Sequence, residues 1–450
     1  MSASRATSLA WSLGAAAIVA APLWLFWSVP ATAVPSFAQQ TGQPCEECHV
    51  SAFGPQLKPY GRDFKLFGYQ SNDGKDRAPD VTVLLLSSFT HTGANQDPPP
   101  ADHFRQNNNA AVDEASLLYA GRAPLGFGVF AEGTYSGIDR RAALDRVDVR
   151  RASEFSPFGH DLVAGLDFNN NPTLEDVWNS TPSWGFPYTS SDLAPSPNAA
   201  TMIDGALEAR VAGAGGYALL DNTVYVAAQA YSPLSPSVDR WLGEDDGGPQ
   251  DIYRGTIPYW RVALLHDFGS TQTVEFGGYG VRAQRYPGGD LSAGVDTLTD
   301  WALDANYQYI GSGRHVVSAH ATYIHEDQDL AASSVLVGAQ RRGDLNTARA
   351  DVSYSYDNTW TPSLQLFSTT GTPNPAFYGG GVDTSGYVAE LAWTPFGKPG
   401  SPVYWANTKL SLQYVGYTQF NGSRLRAGDN NTLYLNLWVA LAPFGATVKR

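Results

Sequence analysis

"DWALDANYQYI", from Asp300 to Ile310, decides how this chain is read. Side chains of an extended strand alternate between two faces. Trp301, Leu303, Ala305, Tyr307 and Tyr309 therefore share one face, while Asp300, Asp304, Asn306 and Gln308 share the other. In "ARADVSYSYD", Ala348, Ala350, Val352, Tyr354 and Tyr356 oppose Arg349, Asp351, Ser353 and Ser355 in the same way. Near the end, Leu433, Leu435, Leu437, Val439 and Leu441 alternate with Tyr434, Asn436 and Trp438. An apolar outside and a polar, charged inside, repeated in segments of about ten residues, is the lipid-facing code of a transmembrane β-barrel.

Working outward, sixteen such segments are predicted: near 80–92, 113–123, 125–136, 144–154, 160–169, 204–214, 222–232, 257–268, 271–284, 298–310, 314–325, 345–357, 359–370, 385–396, 405–418 and 430–444. The number is even, as bacterial single-chain barrels require. Long links (93–112, 170–203, 233–256, 326–344, 371–384) follow odd strands, and the tightest (156–159, 269–270, 311–313, Asn358) follow even ones. That parity gives an all-β, antiparallel barrel of about 16 strands with both ends of the chain on the short-turn, periplasmic side. A soluble double-layer β protein would alternate too, but nothing in it would enforce the parity. Trp360, Trp393, Trp405 and Tyr356 sit near strand ends, where an interface girdle would place them. The link 94–111 is polar, and its Pro run excludes regular strand. Acidic clusters at Glu244, Asp245 and Asp246 and at Glu326, Asp327 and Asp329 are expected in external loops, solvated or concentrating a divalent cation.

The 450 residues carry a net charge of −14, with 45 Gly, 23 Tyr and 12 Trp. Such a balance argues against nucleic acid, whose phosphates demand a basic face. At the N-terminus, Arg5, an apolar run from Leu9 to Trp27, and Ala31, Thr32, Ala33 read as a secretory signal over residues 1–33. An uncleaved anchor is the alternative, the run being nearly long enough to span.

Residues 34–79 hold both cysteines, in "CEECH". Covalent attachment of one c-type haem needs two thiols spaced to reach the two vinyl groups, followed by a His to ligate the iron; Cys45, Cys48 and His49 meet that spacing. A zinc site lacks a second cysteine pair, a thioredoxin-like pair lacks its βαβ context, and a plain disulfide is the bland alternative. The sixth iron position is open to His91, His103, His160, Lys58, Lys65 or water. Met202 is far off in sequence. A short helix is expected around Arg62–Leu66, with Arg62 and Lys65 either solvated or facing haem propionates. So short a segment cannot enclose a porphyrin; it must borrow its walls from the barrel, 80–450. Charged inward faces such as Arg146, Asp148 and Arg150 suit packing around a plug or lining a pore.

Taken together, the leader, "FAQQTG", "CEECH", "PQLKPYGRDFKLFGY" and a barrel of this length resemble the fused monohaem cytochrome porins of the bacterial outer membrane, some of which act as extracellular iron oxidases. "NNNPTLEDVWNSTPSWGFPY", Asn169 to Tyr188, is similar to a segment of relatives described as cytochrome c. The resemblance implies haem on Cys45 and Cys48, His49 as proximal ligand, and shaping of the segment by Phe37, Thr41, Gly42, Pro55, Leu57, Gly61, Phe64, Lys65, Gly68 and Tyr69. It further implies electron transfer between an extracellular donor such as Fe(II) and a periplasmic c-type cytochrome. Two departures leave the donor open: Gln39 replaces the family's usual Arg, and "VSAFGP" adds two residues between His49 and Pro55. The rival function is a porin for solutes whose haem segment is a plug or redox sensor. A haem-dependent hydrolase or peroxidase finds no Ser, His, Asp elbow or second metal cluster.

Overall fold

The computed structural model describes residues 36–72, 74, 80–243, 250–311, 313–399, 401 and 406–441. The expected leader, Trp405 and the cluster Glu244, Asp245, Asp246 lie outside the described residues.

Seventeen strands make sixteen staves, β8 (Ile252–Arg254) being a short continuation of β9 (Ile257–Phe268) along β10 (Gln272–Tyr286). Each stave pairs antiparallel with its chain neighbours, and β17 (Thr432–Leu441) closes on β1 (Asp80–Thr92) through Val83↔Leu441 to Thr92↔Thr432. Closure leaves no open edge, the condition for strands to sit in lipid.

Why the sheet closes this way round is visible in β11 (Asp296–Tyr309). Asp300, Asp304 and Gln308 are buried, whereas Leu303 is 58% exposed. Most of the buried residues of this strand are polar, Leu298 and Ala302 excepted, and its exposed ones are apolar, the inverse of a soluble core. The same holds for β13 (Arg342–Tyr356) and β17, as their alternation predicted. Trp360 and Trp393 face each other across β14 (Trp360–Gly371) and β15 (Thr384–Trp393), ring centroids 6.1 Å apart, with Tyr356 paired to Trp360. These rings cluster at the tight-turn end, as a girdle requires.

Link parity holds at that end, where residues 156–161, 269–271 and 357–359 make the turns. Three expectations need correction. β6 runs Val211–Leu220 rather than 204–214, because residues 202–210 fold as consecutive turns. The link 170–203, expected outside, extends to 210 and turns into the lumen, where Thr173, Glu175, Asp176, Thr181 and Leu193 are fully buried. Glu326, Asp327 and Asp329 lie on β12 (His315–Asp329), not in a loop. Buried Glu326 accepts the Met202 backbone N–H, and Asp329 pairs with Arg341 and Arg342.

Candidate functional site

The N-terminal segment, residues 36–72, folds inside the tight-turn end of the barrel. α1 (Ser36–Thr41) is tied to the wall by Ser36 N–H on Thr82 Oγ1 at 3.1 Å and by Gln40 Oε1, which accepts the Arg122 N–H. Pro44 precedes α2 (Cys45–Cys48), a single turn carrying both thiols. α3 (Pro59–Leu66) starts on Pro59, whose fixed φ suits the first helical turn. It is longer than the predicted helix and passes through Gly61. A Cβ there would stand 2.4 Å from the Cys48 carbonyl oxygen, so glycine is what lets α3 lie against the cysteine turn.

Packing gives most of the residues singled out by the resemblance a place. Phe37, Phe64 and Tyr69 form an aromatic knot with centroids 4.9 to 5.7 Å apart. Tyr69 donates to Asp148 Oδ2 at 2.6 Å, and Gly68 sits at φ 65° against Arg150. The Leu57 carbonyl accepts from Gln308, and the Pro55 carbonyl from Asn179.

Three buried cations fix the segment. Lys65 Nζ donates to Leu174 O, Asp176 O and Asn179 Oδ1 at 2.6 to 2.7 Å and lies 4.5 Å from the Trp184 ring centroid. Arg62 reaches Gln308 and Thr273, with its guanidinium 4.0 Å over Trp178. Lys58 holds Glu46 O and Asn358. None is solvated, and among the described residues none has a carboxylate partner at ion-pair distance. Burial pushes Lys65 down to about 7 and Arg62 to about 10.

Above the segment lies the inner loop, residues 170–210. Arg150, fully buried, meets Asp148 Oδ1 at 2.8 Å and Asp167 Oδ2 at 3.1 Å while donating to the Leu174 and Glu175 carbonyls. Arg261 joins Glu275, Asp304 and, at 3.6 Å, Asp176. Met202, Ile203 and Leu207 pack with Tyr231, Tyr259 and Tyr279 of the wall. Gln365 and Gln413 bind the Phe186 and Thr189 carbonyls. Loop and segment both lie inside the lumen. Of the charges that organise this packing, Arg146, Asp148 and Arg150 were legible as inward faces; Arg261 with Asp176 was not, because no local pattern pairs residues so far apart.

Do the residues fit a covalent haem? Both thiols are free. Burial, reinforced by the neighbouring Cys48, raises Cys45 to about 12, and burial with Glu47 does the same to Cys48, so both rest as neutral thiols. Burial also lowers His49 to about 4, keeping the imidazole neutral. Its Nδ1 is buried without a hydrogen-bond partner, and a Cβ on Gly54 would lie 3.4 Å from the ring. A neutral imidazole with a buried unused nitrogen, one residue after two free thiols, fits the group.

Of the sixth-ligand candidates, His91, His103 and His160 are exposed, outside the lumen; His91 meets Asn108 and His160 meets Asp221. Lys58 and Lys65 are already bonded. Among the described residues the strand histidine that faces the lumen is His320, held by Asp351 and Thr322, which sequence reasoning passed over.

No family model matches the sequence, and no curated protein matches it either. Solved structures similar to it include Pseudomonas putida OprB, at 10% identity and TM-score 0.48, covering 81% of this chain and 94% of that one. An anion-selective porin from Comamonas acidovorans follows at 10% and 0.44, covering 81% and 98%. The monoaromatic hydrocarbon channel CymD aligns at 9% and 0.31, covering 93% and 100%. At these values the likeness says nothing of substrate, and the architecture stands on the chain's own strand pairing: a closed, sixteen-stave antiparallel barrel with an apolar outer face.

Proposed function

We propose that the chain is a porin-like barrel of the bacterial outer membrane whose N-terminal segment carries one covalent haem c on Cys45 and Cys48, with His49 as ligand. On this reading it conducts electrons between an extracellular donor such as Fe(II) and a periplasmic c-type cytochrome. The observation that carries it is the position of Cys45–His49 within the tight-turn end of the lumen, walled by strands that a segment so short could not replace. A haem there would supply one-electron chemistry. The chain's residues exclude water from the segment, hold His49 neutral and place positive charge beside it through Lys58. One donor electron reduces one ferric acceptor, across an apolar band about 25 Å tall that a bare pore would not let electrons cross. The tight-turn end, and with it the segment, faces the periplasm in this reading.

A second reading is a solute porin plugged by the same segment. It asks for the barrel alone, which the strand pairing gives, and is to that extent the better supported of the two. One experiment separates them. Purified protein is titrated spectroscopically with and without ferrous iron, and its conductance is read in a planar bilayer. A haem spectrum that Fe(II) reduces, in a protein that conducts no ions, supports electron transfer; a colourless conducting barrel supports solute passage and ends the haem reading.

A further inference from the structure

The long-loop half of the lumen contains a cavity of about 410 Å³ between the wall and the inner loop. Six carboxylates line it: Asp113, Glu114, Asp139, Asp145, Asp192 and Glu208. Two guanidiniums, Arg141 and Arg146, share the lining, and Arg146 Nε is taken by Glu208 Oε1 at 3.3 Å. Acid therefore exceeds base by a wide margin in this space.

Backbone irregularity builds this concentration. Pairing of β1 with β2 (Asn109–Ala123) steps from Leu86↔Glu114 to Ser87↔Val112, leaving Asp113 as a bulge residue. Pairing of β3 (Phe127–Ser136) with β4 (Arg141–Phe155) steps from Glu132↔Arg146 to Gly133↔Leu144, bulging Asp145. A regular strand would send consecutive residues to opposite faces; each bulge re-aims one, so Asp113 with Glu114 and Asp145 with Arg146 all reach one cavity. Asp113 is only 4% exposed. Its Oδ1 accepts from Ser88 at 2.9 Å, but its Oδ2 is buried with no partner. Such an oxygen carries an unmet cost unless something positive joins it. Arg141 Nη1 is also unpartnered, yet two guanidiniums leave most of the six carboxylates uncompensated.

The rest of the lining is Thr134, Ser136, Ala143 and Ala209, with no aromatic face to hold an organic cation. Among the described residues no three His, Cys, Asp or Glu stand close enough to grip a bare ion. The space admits about a dozen waters at roughly 30 Å³ each. Hard divalent cations take oxygen ligands and part reluctantly with their water.

We propose that this cavity binds a hydrated divalent metal cation, held through its water shell by Asp113, Glu114 and Asp145. As the place where an external metal donor would dwell, it rests on the electron-transfer reading; as a cation site it does not. Mn(II), followed by the loss of its free EPR signal, is titrated into detergent-solubilised full-length protein alongside the haem spectrum. Saturable binding near 0.1–1 mM is expected, weakened at least tenfold in the variant Asp113→Asn, Glu114→Gln and tightened by Arg141→Gln. No saturable binding in the parent, unchanged affinity in the double variant, or saturable binding of inorganic phosphate instead overturns the proposal. Should the double variant fail to fold, the parent titration and Arg141→Gln still decide. A normal haem spectrum without Mn(II) binding sinks the cavity alone, and Mn(II) binding to colourless protein sinks the haem alone.

Discussion

The wall of the barrel and the contents of its lumen are built on different principles. Wall strands pair with their chain neighbours through repeated backbone hydrogen bonds, in register for up to fifteen residues, as β12 does with β13. The contents have almost no regular structure and are held by side chains reaching far along the chain, such as Lys58 to Asn358 and Asn407 to Ala52. The difference teaches that the two can fail separately. A perturbation of the contents need not open the sheet.

Four experiments break or sharpen that contrast. The largest effect is expected from Cys45→Ser with Cys48→Ser: covalent haem falls to zero and oxidation of an external donor falls to background, read by pyridine haemochrome absorbance and vesicle assay. The wall survives, read as unchanged heat-modifiable migration. A fully active double variant would refute the function proposed here.

Next comes Arg150→Ala, which leaves Asp148 and Asp167 buried without their cation. Removing one partner of such a cluster costs about 3–5 kcal/mol, and because Arg150 also holds the Leu174 and Glu175 carbonyls, the cost falls on the inner loop. Bilayer conductance should rise while the sheet keeps its circular dichroism. If the sheet melts with it, wall and contents are one cooperative unit.

Asp176 gives a pH test. Burial works to raise its carboxyl, but Arg261 and the backbone N–H groups of Ser180 and Trp178 prevail and hold it near 2. With an ordinary aspartate near 3.9, its contribution of about 2–3 kcal/mol is present above pH 4 and lost as pH falls from about 4 to about 2. Proteolysis of the inner loop by an acid protease should increase over that interval, and Asp176→Asn should remove the pH dependence.

The smallest effect is that of Gly61→Ala, which pushes α3 off the Cys48 carbonyl at about 1–3 kcal/mol. Haem occupancy after expression should fall by a measurable fraction with conductance unchanged.

How much of this was legible beforehand follows the same division. Period-two alternation placed fifteen of the staves within a few residues, since each strand's inside and outside are written in its own sequence. The stave over 211–220 was missed because Gly213, Gly215 and Gly216 interrupt it, and the turns of 202–210 imitate alternation. Cys45, Cys48 and His49 stand out by spacing, and the structure sets them along one turn and its C-terminal end. Lys65 and Arg62 were noticed, but their bonds to the inner loop and to β10 and β11 were not, because those partners are over a hundred residues away.

By itself the sequence determined the barrel, its stave number and which face meets lipid, all properties of residues within a turn or a strand of one another. Only the tertiary structure decided that a loop expected outside runs through the lumen, that the cysteine turn sits beneath it, and that two bulges gather acids into one cavity. The reason is physical: local order follows from neighbouring side chains, whereas the lumen's packing is settled by which distant charges and carbonyls are left without water once the sheet has closed.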